Sequence, residues 1–194
     1  MPNHFDNSYP TDKASNRYYN YLDLLYSKIK IFKFIGKIKS GKAVIINKNV
    51  EIKITDNGKL FMGDHTVIEQ NASIILTKPN PFIKLKTNVL VGKGSLILCK
   101  KKITIGSNTR IGAYTTIRDH IHKNVNSKNQ VIKSKSKIQD IIIGNDVWIG
   151  NYCTIFPGVK IGNNSIVSTY SIVTETIPAN VQVAGQPARI IKKL

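Results

Sequence analysis

Several things are scarce in this 194-residue chain, and each scarcity removes a class of protein. Cys99 and Cys153 are the only cysteines and form no C-x-x-C pair, which excludes a disulfide framework and a cysteine zinc site. Histidine is limited to His4, His65, His120 and His122. No apolar run approaches the ~18 residues of a membrane span. The N-terminus, Met-Pro-Asn-His-Phe-Asp, lacks the basic-then-apolar order of a secretion signal, so a cytoplasmic protein is expected. Acids are few: 11 Asp+Glu stand against 29 Lys+Arg, for a formal net charge of +18. Such an excess favours anionic partners, whether nucleic acid, an acidic membrane or phosphate-bearing small molecules. Much of it is lysine among abundant asparagine and isoleucine, a bias that genome composition alone also produces.

What the chain does contain is a period. Written in sixes, Ile143 to Pro178 reads IGNDVW, IGNYCT, IFPGVK, IGNNSI, VSTYSI, VTETIP. Every block opens with Ile or Val, and the fifth position is small or β-branched: Val147, Cys153, Val159, Ser165, Ser171, Ile177. Six residues at ~3.3 Å each make a short strand and a corner, too little to bury anything alone. Stacked coils bury the first-position aliphatics on one another inside a prism. The third and fourth positions carry residues that tolerate tight corners, such as Asn145/Asp146, Pro157/Gly158 and Asn163/Asn164. With three sixes to a coil, this stretch makes two coils, and Cys153 is buried filling.

Ahead of it the organisation is looser. Residues 1–41 read as an N-terminal segment whose helix runs from Ala14 to about Ile35. Tyr18, Leu22, Leu25, Ile29 and Phe32 fall on one apolar face, with Gly36 as the stop. Two readings of that helix stay open: a cap on the open end of the solenoid, or a basic amphipathic helix on an anionic membrane. Residues 42–178 read as solenoid, with sixes that slip near Pro79-Asn80-Pro81 and again after Leu96, and are clean from Ile105. The pattern breaks off in the six that opens at Ile117 and resumes only at Ile143. Lys123–Asp140, with five Lys against one Asp, reads as a loop thrown out of the prism. Residues 179–194 form a basic tail.

His120 and His122 stand at the base of that loop. His120 takes the fourth position of its six, a corner, and is expected to project outward. A histidine so placed suits a base, since its ordinary pKa lies near neutrality.

The stretch RDHIH, the basic loop, IGNDVWIGNYCTIFPGVKIG and the tail VAGQPARIIKK together resemble the hexapeptide-repeat acyltransferases. The likeness runs from Ile105 to Leu194 and is to the sugar O-acetyltransferase branch, which includes galactoside, maltose, capsule and O-antigen acetyltransferases. It implies an all-β solenoid, a left-handed parallel β-helix, assembled as a homotrimer with acetyl-CoA in a groove between adjacent prisms. It further implies direct acetyl transfer to a sugar or glycan hydroxyl, with no metal. His120 is then the general base, His122 the rival, and Asp119 a candidate to orient the ring. Trp148 corresponds to the family tryptophan that lines the acceptor and pantetheine region. Gly150, Ala184 and Gly185 give the pantetheine arm room, and Arg189, Lys192 and Lys193 are candidates for the CoA phosphates.

Two alternatives stand beside this one. γ-Class carbonic anhydrases share the solenoid but need three zinc-binding histidines on adjoining coils. Here His65 precedes His120 by several coils, which argues against such a site. A non-enzymatic solenoid binding an anionic glycan is the other, and N-acetylation of an amino sugar or a xenobiotic is a variant of the first reading. The loop has no aromatic residue on which bases stack, so nucleic acid is not an expected partner.

Overall fold

The computed structural model describes residues 21–121 and 138–194. It opens with α1 (Tyr21–Phe32) and continues in coils of three short strands. The first coil is β1 (Ile38–Ser40), β2 (Ile45–Ile46) and β3 (Glu51–Ile54), and the second is β4 (Lys59–Met62), β5 (Val67–Ile68) and β6 (Ser73–Leu76). The third is β7 (Phe82–Leu85), β8 (Leu90–Val91) and β9 (Leu96–Cys99), followed by β10 (Lys102–Ile105), β11 (Arg110–Ile111) and β12 (Thr116–Arg118). Beyond the loop come β13 (Ile141–Ile143), β14 (Trp148–Ile149) and β15 (Thr154–Ile155), then β16 (Lys160–Ile161), β17 (Ile166–Val167) and β18 (Ile172–Val173). The chain ends in β19 (Val181–Gly185) and β20 (Ala188–Lys193).

Strands stack in parallel, one coil on the next, into three faces: β1-β4-β7-β10-β13-β16, β2-β5-β8-β11-β14-β17 and β3-β6-β9-β12-β15-β18. β19 extends the second face and β20 folds back on it antiparallel, so the tail is an ordered hairpin rather than a frayed end. The all-β solenoid with an N-terminal helix is therefore the fold. Its cause is visible in the sixes. All first positions from Ile143 to Val173 and all fifth positions from Val147 to Ile177 are buried. Burying each such aliphatic is worth about 1.5–3 kcal/mol. The fourth positions Asp146, Tyr152, Gly158, Asn164 and Tyr170 have φ between +54° and +85°, the left-handed corner that ends each strand.

The slips in the early sixes have one location. Ile38 pairs with Leu60, Leu60 with Ile83 and Ile83 with Ile103, so each of these turns holds more chain than three sixes. Only late in the solenoid, where Ile142 pairs with Lys160, is a turn three sixes long. The longer coils carry four-residue strands, such as β3, β4, β6, β7, β9 and β10, on the two faces that meet at the third-to-first corner. The prism tapers toward its C-terminal end at that corner. The loop leaves from the same edge: Ile103 pairs with Ile141, and the whole excursion is inserted between them without disturbing the stacking of β13 on β10.

The helix departs from expectation. Residues 1–20, including Tyr18 and the helix start placed at Ala14, lie outside the described residues. On the apolar face read from the helical spacing, Leu22, Leu25, Ile29 and Phe32 are all exposed. The face applied to the solenoid is the neighbouring one: Ser27 is buried, Ile31 and Phe34 pack on the core, and Leu24 beside them is half-buried. Polar chemistry selects it. Ser27 Oγ accepts the Ile46 N–H at 2.8 Å and Lys30 Nζ donates to the Val50 carbonyl. These bonds satisfy groups on the open edge of the first coil, where unpaired ladder atoms are costly.

Candidate functional site

The loop base is built around a buried carboxylate. Asp119 directly follows β12, where Arg118 pairs with Leu98, so it lies beside Cys99 in the inward column that includes Leu76. Its side chain is fully buried. Main-chain N–H groups of the turn into β10 surround it: Lys100 donates to Oδ1 at 2.8 Å, and Lys100, Lys101 and Lys102 donate to Oδ2 at 3.0, 2.7 and 3.0 Å. Bonds from several amides to one carboxylate are strong because the acceptor is charged. Cys99 Sγ lies 3.4 Å from Oδ2. Burial, and then the Asp119 charge, push the Cys99 thiol far above its ordinary range; burial also raises Cys153. Neither is a nucleophile in this fold.

His120 differs from the sequence expectation. It is buried, 4% exposed, rather than projecting from a corner. The reason is local: positive φ recurs at the fourth positions Asn108 and Tyr114 of the same coil, but His120 is not among the left-handed residues. The chain runs on through Asp119 and His120, and His120 forms an antiparallel bridge with Ile138, where the loop returns. Its Nδ1 lies 3.0 Å from Asp119 Oδ1. A neutral ring that donates Nδ1–H to the carboxylate carries its basic lone pair on Nε2. The Asp119 carboxylate, which can only accept, is placed to receive that Nδ1–H. Around the pair, Gln139 N–H donates to the Asp119 carbonyl at 2.9 Å, Lys101 pairs with Asp140 at 2.9 Å, and Arg118 stacks over the Phe156 ring at 4.9 Å. The rival base, His122, and most of the loop lie outside the described residues, as does His4. Among the described residues no group of three or more His, Cys, Asp or Glu is placed to hold a metal ion.

The remaining candidate residues do not join His120 within one chain. Trp148, 45% exposed, stands on β14 between Arg110 and Ile166, on the second face. Ala184, Gly185, Arg189, Lys192 and Lys193 belong to β19 and β20 on that same face. His120 sits at the corner where the third and first faces meet, so it is on the opposite side of a three-faced prism. Gly150 has a packing reason of its own: a Cβ there would stand 2.5 Å from Thr169 N on the next coil. Gly185 is exposed at φ +104° in the hairpin turn, with Ala184 pairing with Arg189. Arg189 also approaches Glu175 at 3.7 Å. Sequence reasoning missed the amide cradle of Lys100–Lys102. Its one signal was the alternation Ile117 in, Arg118 out, Asp119 in.

Residues 140–175 match the family model for the bacterial transferase hexapeptide (six repeats). The late coils carry that repeat. The chain is similar to galactoside O-acetyltransferase of Escherichia coli K12, 39% identical over 95 residues, covering 47% of this chain and 44% of the relative. It is also similar to the putative lipopolysaccharide biosynthesis O-acetyl transferase WbbJ of the same organism, 34% identical over 117 residues, 55% of this chain and 58% of that one. The chain thus spans about half the length of the curated relatives it matches. Among solved structures, a point mutant of AntD, an N-acyltransferase from Bacillus cereus, in complex with dTDP-4-amino-4,6-dideoxyglucose and coenzyme A, superposes with a TM-score of 0.70 at 21% identity, over 85% of this chain and 88% of that one. A hexapeptide-repeat containing acetyltransferase from Vibrio cholerae gives 0.57 at 26% identity, over 89% and 82%.

Proposed function

We propose that this chain is an acetyl-CoA-dependent O-acetyltransferase acting on a sugar hydroxyl of a surface polysaccharide or its precursor. The observation that carries the reading is the Asp119–His120 pair, buried at the base of the loop in a repeat similar to that of a galactoside O-acetyltransferase. His120 Nε2 takes the proton of the acceptor hydroxyl as that oxygen bonds to the thioester carbonyl carbon. The carbon–sulfur bond then breaks, and the imidazolium returns the proton to the departing thiolate. Asp119 stabilises the transient charge on the ring, and main-chain N–H groups at the solenoid edge receive the oxyanion. Arg189, Lys192 and Lys193 are exposed cations on one strand, a fit for the CoA phosphates.

The opposed positions of His120 and Trp148 support a site completed between copies. The second face of one chain would meet the His120 edge of the next, in the homotrimer that the repeat family suggests. A cytoplasmic location agrees with a CoA thioester as donor. N-acylation of an amino sugar is the second reading, favoured by the likeness to AntD.

The test is thiol release from acetyl-CoA against a panel of sugars, amino sugars and oligosaccharides, with mass spectrometry of the product. Expected is an acetyl ester removed by mild base; a base-stable amide favours the second reading. His120→Ala should abolish transfer and leave acetyl-CoA binding near normal. Full activity in that variant with a dead His122→Ala would move the base to His122. No release with any acceptor, and no shift in melting temperature with acetyl-CoA, would favour a non-enzymatic solenoid.

A further inference from the structure

The N-terminal end of the solenoid carries a surface that the transfer reaction does not use. Once Leu24, Ser27, Ile31 and Phe34 are applied to the first coil, α1 still has a second apolar stripe. Leu22, Leu25, Ile29 and Phe32 stand on it with exposures of 67%, 42%, 55% and 71%, and Ile35 follows at 72%. Such residues scattered singly need no explanation, but a contiguous stripe marks a contact surface. It is framed by cations. Lys28 and Lys33 are exposed on the helix segment itself. Ile35 also lines a shallow concavity of about 700 Å³ with Lys37, Lys59 and Phe82, and a neighbouring one of about 380 Å³ shares Lys37 and Lys59 and adds Lys39 and Lys84. Asp56 is the one acid in either lining.

We propose that this end of the molecule docks on an anionic lipid bilayer. Leu22, Leu25, Ile29 and Phe32 enter the headgroup layer, and Lys33, Lys37, Lys39 and Lys59 face the lipid phosphates. Apolar side chains bordered by lysines that outnumber the nearby acids, Asp23 on the helix and Asp56 in the concavity, are the pattern of interfacial helices that lie about 5–10 Å into the headgroups. Charge decides against a second copy of this chain as the occupant. Two such ends brought together would oppose lysine to lysine around the contact, whereas anionic lipid neutralises them. No helix among the described residues is long and apolar enough to cross a membrane. The proposal is independent of the transfer chemistry, since none of its residues belongs to the His120 site.

The experiment is co-sedimentation of the full chain with vesicles of phosphatidylcholine alone and of an equal mixture with phosphatidylglycerol, at low and high salt. Binding is expected to the mixed vesicles at low salt, with little to phosphatidylcholine and a loss as salt screens the lysines. Ile29→Ser combined with Phe32→Ser should lower the partition coefficient by about tenfold or more, given the apolar area withdrawn. Because both side chains are exposed, its melting temperature should match the parent. Lys33→Glu with Lys59→Glu should remove the preference for the anionic vesicles. Equal binding to both compositions, binding to neither, or an unaffected double serine variant would overturn the proposal. So would self-association of the parent that the double serine variant abolishes, since a second copy would then occupy the stripe.

Discussion

Asp119→Asn separates the structural work of the buried carboxylate from the catalytic role proposed for it. Asparagine keeps the shape and one oxygen. Oδ2 receives three main-chain N–H groups, at 3.0, 2.7 and 3.0 Å, so the amide oxygen takes that place. The NH2 then falls where Oδ1 was, facing the Lys100 N–H at 2.8 Å and His120 Nδ1 at 3.0 Å. Each contact to a charged acceptor is worth about 1.5–3 kcal/mol, and the amide recovers part of one by donating to the ring. The expected loss is about 3 kcal/mol, or roughly 6–12 °C in melting temperature for a domain of this size. The ring meanwhile meets a donor at Nδ1, must accept there, and moves its proton to Nε2. A base whose working nitrogen is already protonated loses about 10³–10⁴-fold in turnover, the size seen for the equivalent change in a serine-protease triad. Denaturant unfolding measures the first effect, nitrogen NMR of the imidazole the second, and CoA release the third. A variant as stable as the parent, with the ring proton still on Nδ1, refutes the orienting role whatever the activity.

Other expectations follow from the same geometry. The raised Cys99 thiol stays protonated in the folded chain while the unfolded chain ionises near its ordinary value of about 8.5. Its contribution to stability is therefore complete below that pH and declines above it, by about 1.4 kcal/mol per pH unit. Cys99→Ala should flatten the alkaline limb of stability against pH, and an unchanged slope counts against the assignment. Gly106→Ala places a Cβ 2.2 Å from the Gly144 carbonyl oxygen, main chain that has nowhere to go, and should cost about 2–3 kcal/mol by denaturant titration. Tyr152 is the middle ring of an exposed stack, 5.2 Å from Tyr114 and 5.0 Å from Tyr170. Tyr152→Ala should lose about 1–3 kcal/mol from two ring contacts while Tyr152→Phe stays near the parent, and equal losses in both would assign the stability to the hydroxyl.

The late coils were legible because six residues, one strand and one corner coincide there. Ile143, Val147, Ile149 and Cys153 fall inward as the period requires. The same period misplaces His120, since the strand path at that corner runs on past the end of a six and the count no longer tracks the chain. Cys99 in the preceding coil shows the same extension, with Leu98 outward and Cys99 inward. The helix was legible as an element, but which of its faces meets the solenoid was not. Two adjacent apolar stripes both satisfy helical spacing, and hydrophobicity alone picks the longer one. What selects the buried stripe is Ser27, whose hydroxyl meets the Ile46 N–H, a pairing no pattern on one segment contains. Asp119 was visible as a neighbour of His120, but the Lys100, Lys101 and Lys102 amides that hold it come from the corner leading into β10 and have no side-chain signature. The face opposition of Trp148 and His120 likewise depends on counting strands around the prism.

The taper has a consequence for how the chain finds its register. In a solenoid of equal turns, any strand fits the edge of any other, and slippage by one turn or open-ended growth leaves every ladder bond intact. Turns as different as Leu60 to Ile83 and Ile142 to Lys160 forbid that exchange. A long turn laid on a short one leaves surplus main chain bulging at a corner, with its amides unsatisfied and its isoleucines out of line. The unequal perimeters act as a key, each turn accepting only its own neighbours. Regularising the early coils to three sixes each would make the repeat easier to recognise and the assembled molecule harder to confine to one length.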